Sequence, residues 1–480
     1  MTDARAPAPP SATDPFVRRM SGWLGGPTGR FARLSASSKA PMIAMILAVT
    51  VTSALGIWQK SSCYDMAWDR AGPTPSGPDD YIFTHTCYSD IAVLYRERGF
   101  QFGAVPYFDK GSSYQALEYP VLTGMVMYVM ATLTRLFGSS DPMADSVRFF
   151  AFNAVLLWGL ALLVGWSLIR LAPHRPWDAM LFATAPALAL TATINWDLVV
   201  VAMTGVAMVF WARRHPALAG MMLGLGAATK LYSVFLLGPL IVLGLRTGRV
   251  REVIRAGIAA LLSYAVITLP FALGAYEGWR KFFDYNNERQ ADFGSIWLVF
   301  VEAGHAVKHV NEVSLVLFLL GCAGVLALGL LAPTRPRLPQ LAFLVVAAFL
   351  LVNKVYSPQY VLWLLPLAVL AHPRVRNILI WQSFEILYWL GVWMYLAGVF
   401  NGHPIGRLYW LVTIARMLAE LWFCSLVVRD ILYPRYDPVR SPQGHLEVDD
   451  PAGGVFDGAD DVPWRRSLTL FGSGSRSGPG

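Results

Sequence analysis

A few charged and amide side chains stand at the ends of long apolar runs in this sequence. The acids include Asp90, Glu118 and Asp197, and the cations include Lys230 and Lys354. A carboxylate in such a place can act as general base on an acceptor hydroxyl. A Lys or Arg can stabilise a departing phosphate, because negative charge develops on the phosphate oxygens. These residue types suit a phosphate-linked substrate and a polyol acceptor, and they permit such a reaction without identifying it.

The composition places these side chains in a membrane protein. Of the 480 residues, 55% are hydrophobic and 15% are charged, whereas a soluble chain carries about 25% charged residues. A soluble globular protein, a disordered chain and a disulfide-stapled secreted domain are therefore excluded. The sequence predicts an all-α polytopic membrane protein. Its net charge of +8 does not indicate nucleic acid as a partner, because the basic residues lie mostly in short loops between apolar runs.

Twelve apolar runs predict a bundle of about 12 transmembrane helices. The first run, 41–58, is interpreted as a signal anchor, since the segment before it is too long for a signal peptide. Basic clusters recur at every second loop, so placing them all in the cytoplasm gives one consistent topology with both termini inside. The other runs are 147–170, 177–194, 198–212, 216–230, 231–245, 253–273, 313–332, 339–352, 360–372, 377–398 and 408–428.

One further apolar run, 119–137, does not fit as a span. If it crossed the membrane, the basic cluster at 170–175 would lie outside, against the charge rule. We therefore expect it in or on the outer leaflet, as part of a long first external loop at 60–146. The predicted divisions are a disordered cytoplasmic N-terminus at 1–40, a transmembrane domain at 41–430, and a cytoplasmic, largely disordered C-terminal tail at 431–480.

The cysteines and histidines indicate a disulfide and no metal site. Cys63 and Cys87 both fall in the external loop, in an oxidising compartment, and are a candidate disulfide. His305 and His309 are the nearest approach to a metal-ligand spacing, and we interpret them as one face of an interfacial helix. There is no Gly-rich phosphate loop, so neither a cofactor nor a nucleotide sugar or ATP is expected.

Five short motifs fall on the predicted external face of the protein. They are Cys87-Tyr88-Ser89-Asp90, Glu118-Tyr119-Pro120-Val121-Leu122, Asn195-Trp196-Asp197-Leu198, Thr229-Lys230-Leu231-Tyr232 and Ser357-Pro358-Gln359-Tyr360. In this order they resemble the GT-C superfamily of membrane glycosyltransferases and, within it, glycosyltransferase family 87. The sequence departs from the family pattern at Val121, where members often have a second Pro. The resemblance covers residues 41–430.

The resemblance implies a GT-C-type bundle with juxtamembrane helices in its first external loop. It also implies transfer of mannose or arabinofuranose from a polyprenyl-phosphate donor to a cell-envelope glycolipid or polysaccharide. The reaction would take place on the outer face of a bacterial cytoplasmic membrane, in contact with membrane lipid. Because the leaving group is already an anion, it needs no general acid, in contrast to glycoside hydrolysis. The sugar, the acceptor, the linkage and the oligomeric state are not chosen by the sequence.

The resemblance also assigns roles to single residues. Asp90 is expected to be the general base, although by itself it would be interpreted as a solvated loop acid. Lys230, Arg289 and Lys354 are candidates for the donor phosphate. The alternatives are snorkelling for Lys230 and pairing with neighbouring acids for Arg289. Acceptor contacts or support of the site are expected from Glu118, Tyr119, Asn195, Asp197 and Gln359.

Alternative interpretations stay open for these residues and for the whole chain. Glu118, Tyr119 and Asp197 can equally serve as caps near helix N-termini. A secondary transporter or flippase also places polar groups among broken helices, near the midplane and in repeated halves. No such repeat is visible here, and the polar loop at 60–146 is unexpected in a transporter. A non-catalytic scaffold for envelope assembly would tolerate the substitution Asp90→Asn.

Overall fold

The computed structural model is helical throughout the residues that it describes, which confirms the predicted all-α fold class. These residues are 13–25, 39–65, 68, 81–109, 114–139, 141–399, 406–440 and 448–462, and no strand occurs among them. The α-helices in chain order are α1 (Pro15–Gly25), α2 (Ala40–Gln59), α3 (Tyr81–Thr84), α4 (Asp90–Glu97), α5 (Val121–Leu136), α6 (Pro142–Leu171), α7 (Met180–Ala183), α8 (Pro186–Thr191), α9 (Asp197–Ala212), α10 (Pro216–Ala227), α11 (Leu237–Thr247), α12 (Val250–Gly274), α13 (Tyr276–Glu288), α14 (Ile296–Glu302), α15 (Val310–Leu331), α16 (Leu338–Val352), α17 (Val361–Ala371), α18 (Val375–Leu396) and α19 (Gly406–Leu432).

Helices of membrane-spanning length identify a multi-pass membrane protein. A bilayer core of about 30 Å needs roughly 20 residues at a rise of about 1.5 Å each. Five helices in the described part of the chain meet this length and are sufficiently apolar: Ala40–Cys63, Met143–Leu171, Val250–Gly274, Val310–Leu331 and Leu408–Leu432.

Several of the other predicted spans are shorter or broken. The run 177–194 divides into a 3-10 turn at Pro176–Ala179 and the short helices α7 and α8, because Pro186 lacks the N–H that a continuous helix requires. The short helices α16 and α17 are buried along almost their whole length. They are therefore surrounded by other helices of the bundle, which explains how such short apolar runs are accommodated.

Close contact between α10 and α12 positions the turn that carries Lys230. A Cβ atom at Gly220 or Gly224 would overlap the backbone carbonyl of Ala256 or Ala260. Small residues four apart allow two membrane helices to approach in this way. Since α10 ends at Ala227, this contact positions the two residues, Ala228 and Thr229, that lead to Lys230.

The apolar run 119–137 forms α5, a helix of 16 residues. At the α-helical rise it is about 24 Å long, which is less than the thickness of a bilayer core. Leu122 N donates to Ala228 O, and Thr123 Oγ1 donates to Thr229 O at 2.8 Å. The start of α5 is therefore tied to the turn before Lys230, and its depth relative to the membrane stays a prediction.

The C-terminal region differs from the predicted disordered tail. Residues 448–462 fold against helix ends, and Phe456 is fully buried. Arg335 pairs with Asp449, and Arg246 Nη2 lies 2.9 Å from Asp461 Oδ2. The acidic residues that make this segment look disordered are thus partners of arginines far away in the sequence. The parts of the predicted tail at 441–447 and 463–480 lie outside the described residues.

The predicted N-terminal tail also contains a helix. Residues 15–25 form α1, which begins where Asp14 Oδ1 accepts Phe16 N at 2.8 Å and Val17 N at 3.1 Å. An acidic side chain with this geometry stabilises a helix N-terminus. The remaining parts of the predicted disordered segment, 1–12 and 26–38, lie outside the described residues.

A disulfide joins Cys63 to Cys87, with the Cα atoms 6.0 Å apart and both side chains fully buried. Trp68 Nε1 donates to Cys87 O at 2.7 Å, which adds a second tie to the same segment. The bond connects the end of the first span to the chain that leads into α4. It therefore restrains the position of Asp90, three residues beyond Cys87.

Replacing Cys87 with Ser should lower the free energy of unfolding by about 3 kcal/mol, because the loop between the two cysteines is no longer closed. Thermal unfolding of the purified protein in detergent measures this loss. In the wild type, a maleimide should label Cys63 and Cys87 only after reduction. The control is Cys322→Ser, which removes a cysteine that is not in a disulfide. Unchanged unfolding of Cys87→Ser, together with labelling before reduction, would contradict the pairing.

Candidate active site

A cavity of about 510 Å³ brings together residues from distant parts of the chain. It lies where α4, the start of α5, the turn before α9 and the loop between α16 and α17 meet. Asp197 is not in its wall and lies behind Lys230. The other predicted catalytic, phosphate-binding and acceptor residues line the cavity: Asp90, Glu118, Tyr119, Asn195, Lys230, Arg289, Lys354 and Gln359.

Asp90 is the first residue of α4, and its backbone is held from both sides. Ser89 caps the helix, since its Oγ accepts Ile91 N, and the same hydroxyl donates to Thr193 O at 2.7 Å. Asp90 N donates to Ile194 O at 2.9 Å. These bonds fix the start of α4 against the segment before α9, so that the Asp90 carboxylate faces the cavity.

The Asp90 carboxylate is oriented by neutral donors. Its Oδ1 accepts the Tyr88 hydroxyl at 2.5 Å, and its Oδ2 accepts Asn195 Nδ2 at 2.7 Å. The same Asn195 amide donates to the Tyr119 hydroxyl at 2.7 Å. Burial raises the pKa of Asp90 above its ordinary value, although these hydrogen bonds and the charge of Lys230 oppose the rise. The carboxylate is thus a stronger base than a solvated Asp would be.

Lys230 is paired, and its partner is Asp197. Lys230 Nζ lies 3.0 Å from Asp197 Oδ2, while Asp197 Oδ1 accepts Trp363 Nε1 at 2.7 Å. The ammonium also lies 5.4 Å from the ring centroid of Tyr360 and 5.9 Å from that of Trp363. Burial lowers the pKa of Lys230, but Asp197, Tyr360 and Asp90 together raise it more, so the net direction is upward. The lysine is therefore a fixed cation in the cavity wall.

Glu118 forms a two-point ion pair with Arg98. Glu118 Oε1 lies 2.6 Å from Arg98 Nη2, and Oε2 lies 2.8 Å from Arg98 Nε. The helix that follows, α5, has Pro120 as its N-cap and no side-chain cap bond. Glu118 is consequently engaged with Arg98 in the wall of the cavity, and it does not cap α5.

Arg289 and Lys354 differ in how their charges are compensated. Arg289 Nη2 lies 2.8 Å from Asp292 Oδ2, the neighbouring-acid pairing considered from the sequence. Lys354 Nζ donates to Asn286 O and, at 2.6 Å, to Asn311 Oδ1. Within the described residues, no carboxylate lies within 4.0 Å of the Lys354 ammonium. Burial and the nearby Arg289 both lower the pKa of Lys354, as expected for a cation without an acidic partner.

The loop that carries Lys354 and Gln359 is held by Tyr356. Its hydroxyl donates to Glu385 Oε2 at 3.0 Å, and its backbone N donates to Phe293 O at 2.9 Å. The Arg416 guanidinium lies 3.6 Å from the Tyr356 ring centroid, within cation–π distance. Side chains of α18 and α19 thus hold this loop from within the bundle.

Gln359 offers an unused hydrogen-bond acceptor to the cavity. The residue is 4% exposed, and its Oε1 has no hydrogen-bond partner among the described residues. A buried acceptor without a partner costs about 1–3 kcal/mol, so a hydroxyl-bearing ligand that donates to it would recover part of this cost. The position suits a contact with a sugar.

Some contacts of the site were not predictable from the motifs. Arg98 follows Asp90 by eight residues and belongs to no recognisable pattern, so only the fold reveals its pairing with Glu118. Tyr88 lies within one of the five motifs, and Trp363 lies three residues after another. Only the fold shows that Tyr88 donates to Asp90 and that Trp363 donates to Asp197. Their aromatic character at the site was the available signal.

Comparison with known proteins gives a family match and a distant structural likeness. The model of glycosyltransferase family 87 matches residues 117–353, a region that contains Glu118, Asn195, Lys230 and Arg289. No curated protein matches the chain.

Among solved structures, ArnT from Cupriavidus metallidurans, crystallised with undecaprenyl phosphate, is similar at 14% identity and a TM-score of 0.40. The alignment covers 91% of each chain. The family match confirms the resemblance predicted from the motifs: over residues 117–353, this multi-pass membrane protein is similar to glycosyltransferase family 87.

Proposed function

We propose that the protein transfers a sugar from a polyprenyl-phosphate donor to a hydroxyl group of a cell-envelope glycolipid or polysaccharide. The reaction takes place on the outer face of a bacterial cytoplasmic membrane, with both chain termini in the cytoplasm. The resemblance to family 87 favours mannose or arabinofuranose as the sugar. No cofactor or divalent metal is required in this proposal, because protein side chains supply the base and the cations.

The observation that carries the proposal is the charge balance of the cavity. Arg98 pairs with Glu97 and Glu118, Lys230 with Asp197, and Arg289 with Asp292. Among the described residues that line the cavity, one carboxylate and one cation are left without a directly paired opposite charge, namely Asp90 and Lys354. Transfer from a phosphate leaving group requires one base and at least one cation, and the site provides them.

Asp90 acts as the general base. Its carboxylate accepts the proton of the acceptor hydroxyl as that oxygen attacks the anomeric carbon of the donor sugar. The bond between the anomeric carbon and the phosphate oxygen breaks, and its electron pair leaves with polyprenyl phosphate. Tyr88 and Asn195 hold the carboxylate in place, and burial brings its pKa closer to that of the proton donor.

Lys354 and Arg289 stabilise the departing phosphate. The phosphate gains one negative charge as the glycosidic bond breaks, so a positioned cation lowers the energy of the transition state. Lys354 has the larger share because its charge is not compensated by a carboxylate. Lys230 contributes a hydrogen bond to the phosphate, although its charge is already balanced by Asp197. Gln359 and Tyr119 contact the sugar hydroxyls.

Replacing Asp90 with Asn should reduce the rate of sugar transfer by about 100-fold or more, because the general base is lost. The assay uses purified protein with labelled polyprenyl-phosphate mannose and polyprenyl-phosphate arabinose, followed by analysis of the products. The matched control is Asp65→Asn, an exposed acid of the same loop, and it should keep the wild-type rate. Wild-type transfer by Asp90→Asn would remove Asp90 as base, while failure of the wild type with both donors would contradict the proposed substrate class.

The pH dependence of transfer should report the same group. Because a base acts only when deprotonated, kcat/KM should fall as the pH is lowered through a pKa above the ordinary value of 3.8 for Asp. The hydrogen bond from Asn195 holds this pKa down, so Asn195→Ala should move the acid limb to higher pH. A pH–rate profile of both proteins, with folding checked by thermal unfolding, measures the shift. A shift of the limb to lower pH would contradict the assignment.

Replacing Lys354 with Gln should raise the KM for the lipid donor or lower kcat by about tenfold or more, since a charge-assisted contact is worth about 1.5–3 kcal/mol. Arg289→Gln and Lys230→Gln should have smaller effects in the same direction, because both charges are paired. Steady-state kinetics with varied donor concentration, and inhibition by free polyprenyl phosphate, give the comparison.

The control for these variants is Lys281→Gln, an exposed lysine of α13 outside the cavity. It should behave as the wild type. Normal donor kinetics in all three cavity variants would refute the assignment of these cations to the donor phosphate.

A further inference from the structure

A second cavity, of about 360 Å³, lies at the other end of the bundle. Helix α18 runs between this cavity and the cavity that Asp90 lines. It begins at Val375 beside the second cavity, and its Trp393 and Leu396 lie in the wall of the Asp90 cavity. Its 22 residues correspond to about 33 Å. The second cavity is therefore separated from the proposed active site by roughly the thickness of a bilayer core. It lies on the side that the charge rule predicts to be cytoplasmic.

Arginines dominate the wall of this second cavity. Among its described lining residues Asp14 is the one carboxylate, and its oxygens accept the backbone N–H groups of Phe16, Val17 and Val375 at 2.8–3.1 Å. Asp14 is thus used to hold the starts of α1 and α18. We call this the basic cavity, and its arginines are Arg19, Arg374, Arg376, Arg429 and Arg435.

Four of these arginines have no acidic partner. Arg429 Nη2 lies 2.8 Å from Asp430 Oδ1. For Arg19, Arg374, Arg376 and Arg435, no carboxylate lies within 4.0 Å in the part of the chain that the structure describes. Burial lowers the pKa of Arg374, as do its neighbours Arg175 and Arg429, while Asp14 and Asp430 oppose this lowering only in part. Several guanidinium groups thus converge on one space with too little negative charge to balance them.

The basic cavity lies at the level where phospholipid headgroups are expected. The apolar span Leu408–Leu432 ends two residues before the turn that carries Arg435. On the other side is α1, whose Arg19 faces the cavity while Trp23 is 78% exposed. Tryptophan and arginine on one short helix are typical of segments that lie in the membrane interface. A ligand at this place is within reach from the lipid leaflet.

We propose that the basic cavity binds the phosphate group of an anionic phospholipid of the inner leaflet. Guanidinium groups match phosphate oxygens in two-point hydrogen bonds, and clusters of Arg next to a span attract anionic lipids. Soluble phosphate compounds share this chemistry, but the position beside the span and α1 favours a lipid. Arg19, Arg374 and Arg435 are the residues that bind the phosphate, because no carboxylate competes for them. Arg376 also has no carboxylate partner, but its Nε donates to Asn377 Oδ1 at 3.4 Å.

The test measures lipid-dependent stability of the full-length protein in detergent. Phosphatidylglycerol should raise the melting temperature of the wild type, whereas phosphatidylcholine and inorganic phosphate at equal concentration should not. In a triple variant with Arg19→Gln, Arg374→Gln and Arg435→Gln, the concentration of phosphatidylglycerol needed for half of the shift should increase at least tenfold. The single variant Arg374→Gln should show a smaller increase in this concentration. It replaces the triple variant in the test if the triple variant does not fold. The control is Arg255→Gln, an arginine outside the cavity that pairs with Glu252.

Each other result overturns the proposal. An equal rise with phosphatidylcholine would show that the lipid effect does not depend on the net negative charge of the headgroup. A rise with inorganic phosphate that phosphatidylglycerol does not exceed would identify a site for soluble phosphate. An unchanged response to phosphatidylglycerol in both Arg374→Gln and the triple variant would place the lipid elsewhere. None of these measurements uses sugar transfer, so they are independent of the proposed function.

Discussion

The tripeptide Asn195-Trp196-Asp197 is the constraint on which the site depends. Asn195 donates to the Asp90 carboxylate, and two residues later Asp197 accepts from the Lys230 ammonium. Between them Trp196 is buried, and its Nε1 donates to Asn153 Oδ1 at 2.7 Å, which anchors the tripeptide to α6. A buried carboxylate such as Asp197 is tolerated only when it is paired and hydrogen-bonded. The Asp90 carboxylate and the Lys230 ammonium are therefore positioned relative to each other by one rigid stretch of backbone.

The cavity thus contains two kinds of charged side chain, those in ion pairs and those without an oppositely charged partner. Residues with opposite charges near them, such as Glu118 with Arg98 or Arg289 with Asp292, are held in fixed positions and have little excess charge. Asp90 instead has neutral donors, which orient its carboxylate without supplying a full counter-charge. Lys354 likewise has carbonyl and amide acceptors. Uncompensated charge is thus confined to two groups, and under the proposed function the surrounding pairs provide the rigidity that preorganised catalysis needs.

The sequence predicts the polar positions well but not their partners. Polar residues stand out in the sequence of a membrane protein because they are rare there. Motifs separated by more than 250 residues could therefore be assigned to one predicted face of the membrane. A partner such as Arg98 leaves no trace in spacing, because it is selected by tertiary contact. The same reason explains the C-terminal segment 448–462, whose Asp and Gly content is typical of disorder, while two of the arginines that bind it, Arg246 and Arg335, lie more than 100 residues earlier. Helix breaks at prolines such as Pro186 are local, and they could have been predicted.

The arginines at the far end of the bundle form two populations that the charge rule treats as one. Arg246, Arg335 and Arg337 are each paired with an Asp of the C-terminal region, which fastens that region to the helix ends. Arg19 and Arg374 have no such partner and face a cavity instead. If these arginines served only to orient the protein in the membrane, there would be no reason for some to be paired with Asp residues and for others to be unpaired around one cavity. Arg374 is half-buried without a carboxylate partner, and a ligand of opposite charge would balance it.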